Sequence, residues 1–393
     1  MKINKKKYLT IGIDATNIRD GGGLTHLIEV LKVVNVAQID INRIVVWGGL
    51  STLGAIEERP WLVKSNFPAL NKGLLQRMIW QYLHLSKAAR NENCDLLFVP
   101  GGSYVGSFKP VVVMSQNLLP FDMLELRRYG WSLFTLKLLF LRYFQSRSFR
   151  KADGIIFLTK YASKLTLKVT GKLRGTSTII PHGINHRFNK QPKVQRKITE
   201  YSDANPYRIL YLSRIEKYKH QWNVVEAINS LRKQGLPISL DLAGSANPDA
   251  LDSLNSILDC VDPNSHWISY HGLIPYNKIH SLYEKADMAV WASTCETFGM
   301  ILLENMAFGL PIACSKKEPA PHIAGGAALY FDSEKPDDIS RVLNKMIMSP
   351  ILRKKLAKAG PLRAKKYSWL ACANSTFIFL KTIVKDFEGK KNV

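Results

Sequence analysis

Cysteine is scarce in this 393-residue chain: there are five, at 94, 260, 295, 314 and 372, and none forms a C-x-x-C pair. That excludes a disulfide framework and a cysteine zinc ribbon, and it predicts a reducing, cytoplasmic setting. Long apolar runs are missing as well. No stretch of 18 apolar residues occurs, and the richest one, Trp131 to Phe144, is interrupted by Lys137 and Arg142, so no membrane-spanning helix is expected. Acidic residues are few, 31 Asp and Glu against 55 Lys and Arg, and no Asp-x-Asp pair offers a platform for a divalent ion. The formal charge of +24 points to an anionic partner: nucleic acid, anionic lipid or a phosphorylated substrate. Zinc-finger spacing, an aromatic RNA-binding signature and heptads beside a basic region are all absent, which leaves a basic nucleic-acid-binding α/β protein as the non-enzymatic alternative. Lys2 and Lys5 to Lys7 precede Tyr8 to Asp14, which is too short and too soon charged for a secretory segment and reads as a first strand.

What is present is globular: 46% of the residues are apolar and 22% charged. A chain of this length is expected to split into two domains. Apolar runs suited to buried strands occur at Leu9–Ile13, Ile44–Trp47, Leu96–Val99, Val111–Met114 and Gly154–Leu158. A second group follows at Ile209–Leu212, Ser239–Ala243, Met288–Trp291 and Pro311–Cys314. Such runs, separated by helical patterns, predict parallel sheets in an α/β fold. Asn189 to Pro206 is polar and reads as a linker, giving domains over 1–188 and 207–370 and a final helix over 371–393 that returns to the first domain. The expectation is two doubly wound, Rossmann-like domains facing across a cleft, with ligands at the carboxyl ends of the strands.

Three segments could carry chemistry. Gly21-Gly22-Gly23 precedes a helical pattern from Leu24 to Val34 and is either a tight turn or a place of close ligand approach. Arg214 and Lys219 follow the run Ile209–Leu212. They are either a solvated basic loop or a fork and a point charge for a diphosphate. Glu296-Thr-Phe-Gly-Met-Ile-Leu-Leu-Glu304 leads into a helix read as Ile301 to Phe308, stopped by Gly309-Leu-Pro311. With the whole interval helical, the two carboxylates would stand about 12 Å apart. That is too far to flank one glycosidic bond as acid and nucleophile. Two hydroxyl clusters of one elongated ligand, or a capping and a surface glutamate, remain.

The order Arg214, Lys219, His271-Gly-Leu-Ile-Pro275, Glu296, Glu304 and Gly309-Leu-Pro311 resembles the donor domain of family 4 glycosyltransferases of the GT-B fold. The likeness extends more loosely to Gly21–Gly23, Thr159–Ala162 and Ile180–Ile184 in the amino half. It implies a hexosyltransferase, retaining, that uses a nucleotide diphosphate sugar without a cofactor. Arg214 and Lys219 would grip the diphosphate and Glu296 would meet the sugar, as the catalytic set. Glu304 would bind the ribose, and Gly22, Gly23, Phe298, Gly299 and Met300 would present backbone to the donor. Where many members carry a histidine this chain has Gln116, which with Asn117 is assigned to the acceptor side; Gln116 can donate a hydrogen bond but is neither acid nor base near neutrality. No metal is expected. His182 and His186, four apart, sit among Pro181 and Gly183 and read as loop. The tone of the chain resembles bacterial surface polysaccharide enzymes, of the lipopolysaccharide O-chain kind, with a glycan or lipid-linked acceptor. The basic aromatic stretch Leu126 to Lys151 is either a core helix with a basic rim or a surface that lies on anionic lipid, at the inner face of the plasma membrane. A GT-B nucleotide-sugar epimerase is the enzymatic alternative.

Overall fold

The computed structural model describes residues 8–275 and 278–391; Lys2 and Lys5 to Lys7 lie outside them. The chain divides into two compact units. The first comprises the residues up to Leu126, Gly130–Gly183 and those from Tyr367 on; the second comprises Arg127–Tyr129 and Ile184–Lys366.

The first unit holds seven strands: β1 (Leu9–Asp14), β2 (Ile41–Trp47), β3 (Leu62–Ser65), β4 (Leu96–Val99), β5 (Val111–Ser115), β6 (Gly154–Phe157) and β7 (Thr176–Ile179). They pair in the order β3-β2-β1-β4-β5-β6-β7, every pair parallel. β4, β5 and β6 are buried along their whole length, which is why they read as unbroken apolar runs. The helix after β1 runs over Gly21–Val33, so the three glycines form its first turn rather than a loop before Leu24. The last helix, Trp369–Lys391, packs on that first helix and pairs Lys381 with Asp40. Gly154 is required where it passes: a Cβ there would lie 2.9 Å from Ile383.

The second unit holds β8 (Tyr207–Leu212), β9 (Ile238–Ala243), β10 (Ile268–Tyr270), β11 (Met288–Trp291), β12 (Ile312–Ser315) and β13 (Ala328–Phe331). The order is β10-β9-β8-β11-β12-β13, again all parallel. The strand order reverses between β8 and β11, the topological switch point at which a doubly wound sheet opens a crevice at its carboxyl ends. Residues 189–206 run along this unit: the Lys190 amide donates to Ala307 O at 3.3 Å, and Arg353 Nε donates to Gln195 Oε1 at 3.1 Å.

Candidate donor site at the β8–β11 switch point

Arg214 and Lys219 follow β8, and Glu296 follows β11, so the three come from the two strands that border the switch point. After Leu212 the chain enters a loop held by its own backbone. Ile215 N donates to Ser245 O at 2.8 Å, and Gln221 Nε2 donates to Ser213 Oγ and to Arg214 O, each at 2.9 Å. Gly244 packs under this loop with φ +147°, and a Cβ on it would stand 2.1 Å from Ser213 O. Lys217–Lys219 makes one 3-10 turn, and His220 then takes a left-handed conformation to start helix Gln221–Lys233. His220 Nε2 and Thr294 Oγ1, 3.1 Å apart, tie this loop to the one after β11.

Lys219 is buried, its ammonium group paired with Glu296 Oε1 and lying 5.8 Å from the Trp291 ring centroid. Arg214 is half exposed, with Nε 3.1 Å from Glu216 Oε1. Glu216 is itself buried and accepts a hydrogen bond from Tyr129 Oη at 2.8 Å. Burial pushes its carboxyl above the ordinary value, against the opposing pull of the Tyr129 hydrogen bond and the Arg214 and Lys219 charges. The same burial raises the Tyr129 phenol, with the Glu216 charge adding to it.

The helix after β11 runs over Met300–Ala307, so the interval from Glu296 is helical only from Met300 on and Glu304 lies about one turn into the helix. Gly299 precedes it with φ +96°, where a Cβ would come within 3.3 Å of the Trp291 ring. Phe298 is buried, whereas Met300 is only half-buried at the first helical position, where N–H groups have no partner within the helix. Glu304 is buried at 2% exposure and accepts from Tyr283 Oη at 3.0 Å. His271, on the far side of β9, meets Asp241 Oδ1 at 2.6 Å.

In the first unit, Gly23 and Gln116 are neighbours: a Cβ on Gly23 would lie 3.6 Å from Gln116 Oε1, while Gln116 Nε2 donates to Pro100 O at 3.1 Å. Asn117 Oδ1 accepts from Leu119 N at 3.1 Å and so caps a short turn. His182 does not gather with His186 but meets His26, Nδ1 to Nδ1 at 3.2 Å, with Cys372 close enough that the three ligand-type atoms lie within 4.8 Å. A hydrogen bond between two neutral rings accounts for the pair. Burial lowers the His26 imidazole to about 4 and holds His182 below its ordinary value, with the neighbouring ring adding to it.

Residues 194–363 match the family described as Glycosyl transferases group 1. The second unit is a group 1 glycosyl transferase domain. Over 110 residues this chain is 33% identical to the O-antigen chain mannosyltransferase B of Escherichia coli, 28% of this chain and 29% of that protein. Over 181 residues it is 26% identical to a D-inositol 3-phosphate glycosyltransferase of Arthrobacter sp. (strain FB24), 44% of this chain and 42% of the relative. The chain thus spans well under two thirds of either relative. Among solved structures, Anabaena HepE in complex with UDP and glucose superposes with a TM-score of 0.71 at 16% identity, covering 95% of this chain and all of that one. WaaG, a glycosyltransferase involved in lipopolysaccharide biosynthesis, does so with a TM-score of 0.68 at 14% identity, covering 95% and 99%. These likenesses show the fold to be GT-B. Within the group 1 domain, the sequence reading overlooked Glu216, although it stands two residues past Arg214 as the lone acid among the three cations Arg214, Lys217 and Lys219. It overlooked Tyr129 and Tyr283 because no local pattern ties a distant tyrosine to a buried carboxylate.

Proposed function

We propose that this protein transfers a hexose from a nucleotide diphosphate sugar to a hydroxyl of a glycan or lipid-linked acceptor, with retention, in the building of bacterial surface polysaccharide. The observation that carries the reading is the meeting of Lys219 and Glu296 across the β8–β11 switch point, with Arg214 on the same loop. Retention, the hexose and the polysaccharide setting rest on the family and on the relatives' activities.

A departing diphosphate gathers negative charge, and cations already fixed in place stabilise it without reorganising. Lys219 spends its charge on Glu296. A diphosphate, with more than one negative charge, competes for that ammonium and leaves Glu296 to accept hydrogen bonds from sugar hydroxyls. Arg214 adds a planar fork. The Met300 end of the following helix adds backbone N–H groups near phosphate or sugar. No side chain of this loop set is placed as a covalent nucleophile, so the acceptor oxygen bonds to the anomeric carbon on the face from which the phosphate oxygen leaves. The acceptor's proton passes to that leaving oxygen.

The acceptor's setting is read from helix Leu133–Lys151. Leu133, Leu136, Phe140 and Tyr143 are exposed on it, and Trp131 just before it is 103% exposed. Between Glu125 and Asp153 there is no acidic residue, while Lys137, Arg142, Arg147, Arg150 and Lys151 are cationic. Apolar side chains in water beside cations alone suit the surface of an anionic bilayer. Among the described residues no helix is long and apolar enough to cross a membrane. We place the protein at the cytoplasmic face of the membrane, on lipid-linked acceptor.

The test is a thermal-shift panel of UDP, GDP, ADP and their sugars, because a ligand at a hundred times its Kd adds about 2.7 kcal/mol to the folded state. A nucleotide diphosphate should raise Tm, and its sugar should be consumed only with acceptor present. Consumption without acceptor would favour the epimerase. No response to any nucleotide, with salt-sensitive retention on DNA or RNA, would overturn the reading.

A further inference from the structure

We propose that Glu216 and Tyr129 act as a positioning pair for Arg214, pinning its guanidinium by Nε so that its two terminal nitrogens present a ready fork to a diphosphate. This rests on the reading of Arg214 as a phosphate grip and adds what holds that grip in shape.

The geometry divides one buried carboxylate between two partners. Oε2 of Glu216 takes the Tyr129 hydroxyl at 2.8 Å, and Oε1 faces Arg214 Nε at 3.1 Å. Both Glu216 and Tyr129 are 5% exposed, whereas the Arg214 side chain is 54% exposed. The anchored end is therefore dry and the working end wet. Among the described residues nothing takes the Arg214 Nη nitrogens. A guanidinium held at Nε keeps its outer edge, the two Nη nitrogens that pair end-on with phosphate oxygens. A free arginine spreads over many rotamers and must lose that freedom on binding, and the pair removes this loss in advance.

Tyr129 is held in turn. Lys217 Nζ lies 5.6 Å from its ring centroid, and Arg128 beside it pairs with Glu334. The segment Arg127–Tyr129 belongs to the second unit although it lies far earlier in the chain than the rest of that unit. Glu216 is not a contact for the donor: an anion beside a diphosphate would repel it, and both its oxygens are engaged.

This role differs measurably from a plain charge effect. Glu216→Gln removes a negative charge next to a phosphate grip, so electrostatics alone would tighten anion binding. Loss of positioning would weaken it. Tyr129→Phe changes no charge and keeps the ring under Lys217, so it isolates the hydroxyl.

The experiment uses the full chain labelled with ¹⁵N-arginine, following the Arg214 Nε–H resonance, assigned by its disappearance in Arg214→Lys. Inorganic pyrophosphate, which carries the diphosphate without a base or sugar, is titrated as the probe. The wild type should show a dispersed, solvent-protected Nε–H. In Tyr129→Phe and Glu216→Gln it should move toward the position of free arginine, and pyrophosphate affinity should fall by about 2- to 10-fold, the cost of ordering one long side chain. An unmoved resonance in both variants, or tighter pyrophosphate binding in Glu216→Gln, overturns the positioning role. If pyrophosphate affinity is the same in Arg214→Ala as in the wild type, the phosphate grip itself is overturned and the positioning role with it.

Discussion

Glu304 holds its carboxylate where water does not reach, with Tyr283 donating to it at 3.0 Å. Truncation to alanine would therefore test two things at once, since taking the acceptor from the buried Tyr283 hydroxyl costs about 1–3 kcal/mol in stability. Glu304→Gln separates them. It keeps an acceptor for Tyr283 and should leave Tm nearly unchanged while weakening the Kd for the nucleotide that scores in the thermal-shift panel; an unchanged Kd removes Glu304 from the ribose contact. At Arg214 and Lys219 the expected effect is on the transition state, because leaving-group charge is greatest there. Arg214→Ala or Lys219→Ala should lower kcat by about a hundred- to thousand-fold, more than it raises KM. Turnover should be the same with EDTA as with magnesium. Activity lost to EDTA and restored by a metal, with Arg214→Ala near normal, would refute a side-chain mechanism.

At the scale of elements, two tests follow from close packing and from exposure. Gly244 lies beneath the Arg214 loop where a Cβ would stand 2.1 Å from Ser213 O, a backbone atom that cannot swing aside. Gly244→Ala should cost about 1–3 kcal/mol, read as a lower Tm, and should loosen donor binding because the loop after β8 has to move. A variant with wild-type Tm and Kd would show that the loop yields freely. Helix Leu133–Lys151 should carry the protein onto anionic vesicles at low salt and release it at high salt. Trp131→Ala with Phe140→Ala should reduce sedimentation with those vesicles. Equal recovery in the supernatant with anionic and neutral lipid would refute the surface role.

For the molecule as a whole, buried neutral histidines set a pH limit on stability. His26 and His220 are lowered by burial to about 4, while an unfolded histidine titrates near 6.5. Between those values the unfolded chain binds more protons than the folded one, so stability is complete above about 6.5 and is lost as pH falls toward 4. Calorimetry from pH 7.5 down to 5, above the carboxylate range, should show Tm falling. His26→Gln, which can still hydrogen-bond to His182, should flatten that slope, and an equally steep slope in the variant would remove His26 as a source.

The nine apolar runs in the sequence are the nine inner strands of the two sheets, five in the first and four in the second. An inner parallel strand is covered on both faces, so most of its length runs apolar and the strand is legible without context. The four strands that no run marked, β3, β7, β10 and β13, are the sheet edges. β7 buries none of its four residues, and such a strand exists only because β6 offers it a row of hydrogen-bonding groups. The same division holds at the candidate site. Arg214, Lys219, Glu296 and Glu304 stand in a spacing that the sequence displays, because each lies on a loop or helix that follows a legible strand. The meeting of Lys219 with Glu296, the burial of Glu304 against Tyr283, the pairing of His26 with His182, and Tyr129 on Glu216 across 87 positions belong to the tertiary structure alone. Local pattern records which face of an element is apolar; it does not record which distant polar group arrives to satisfy a buried charge.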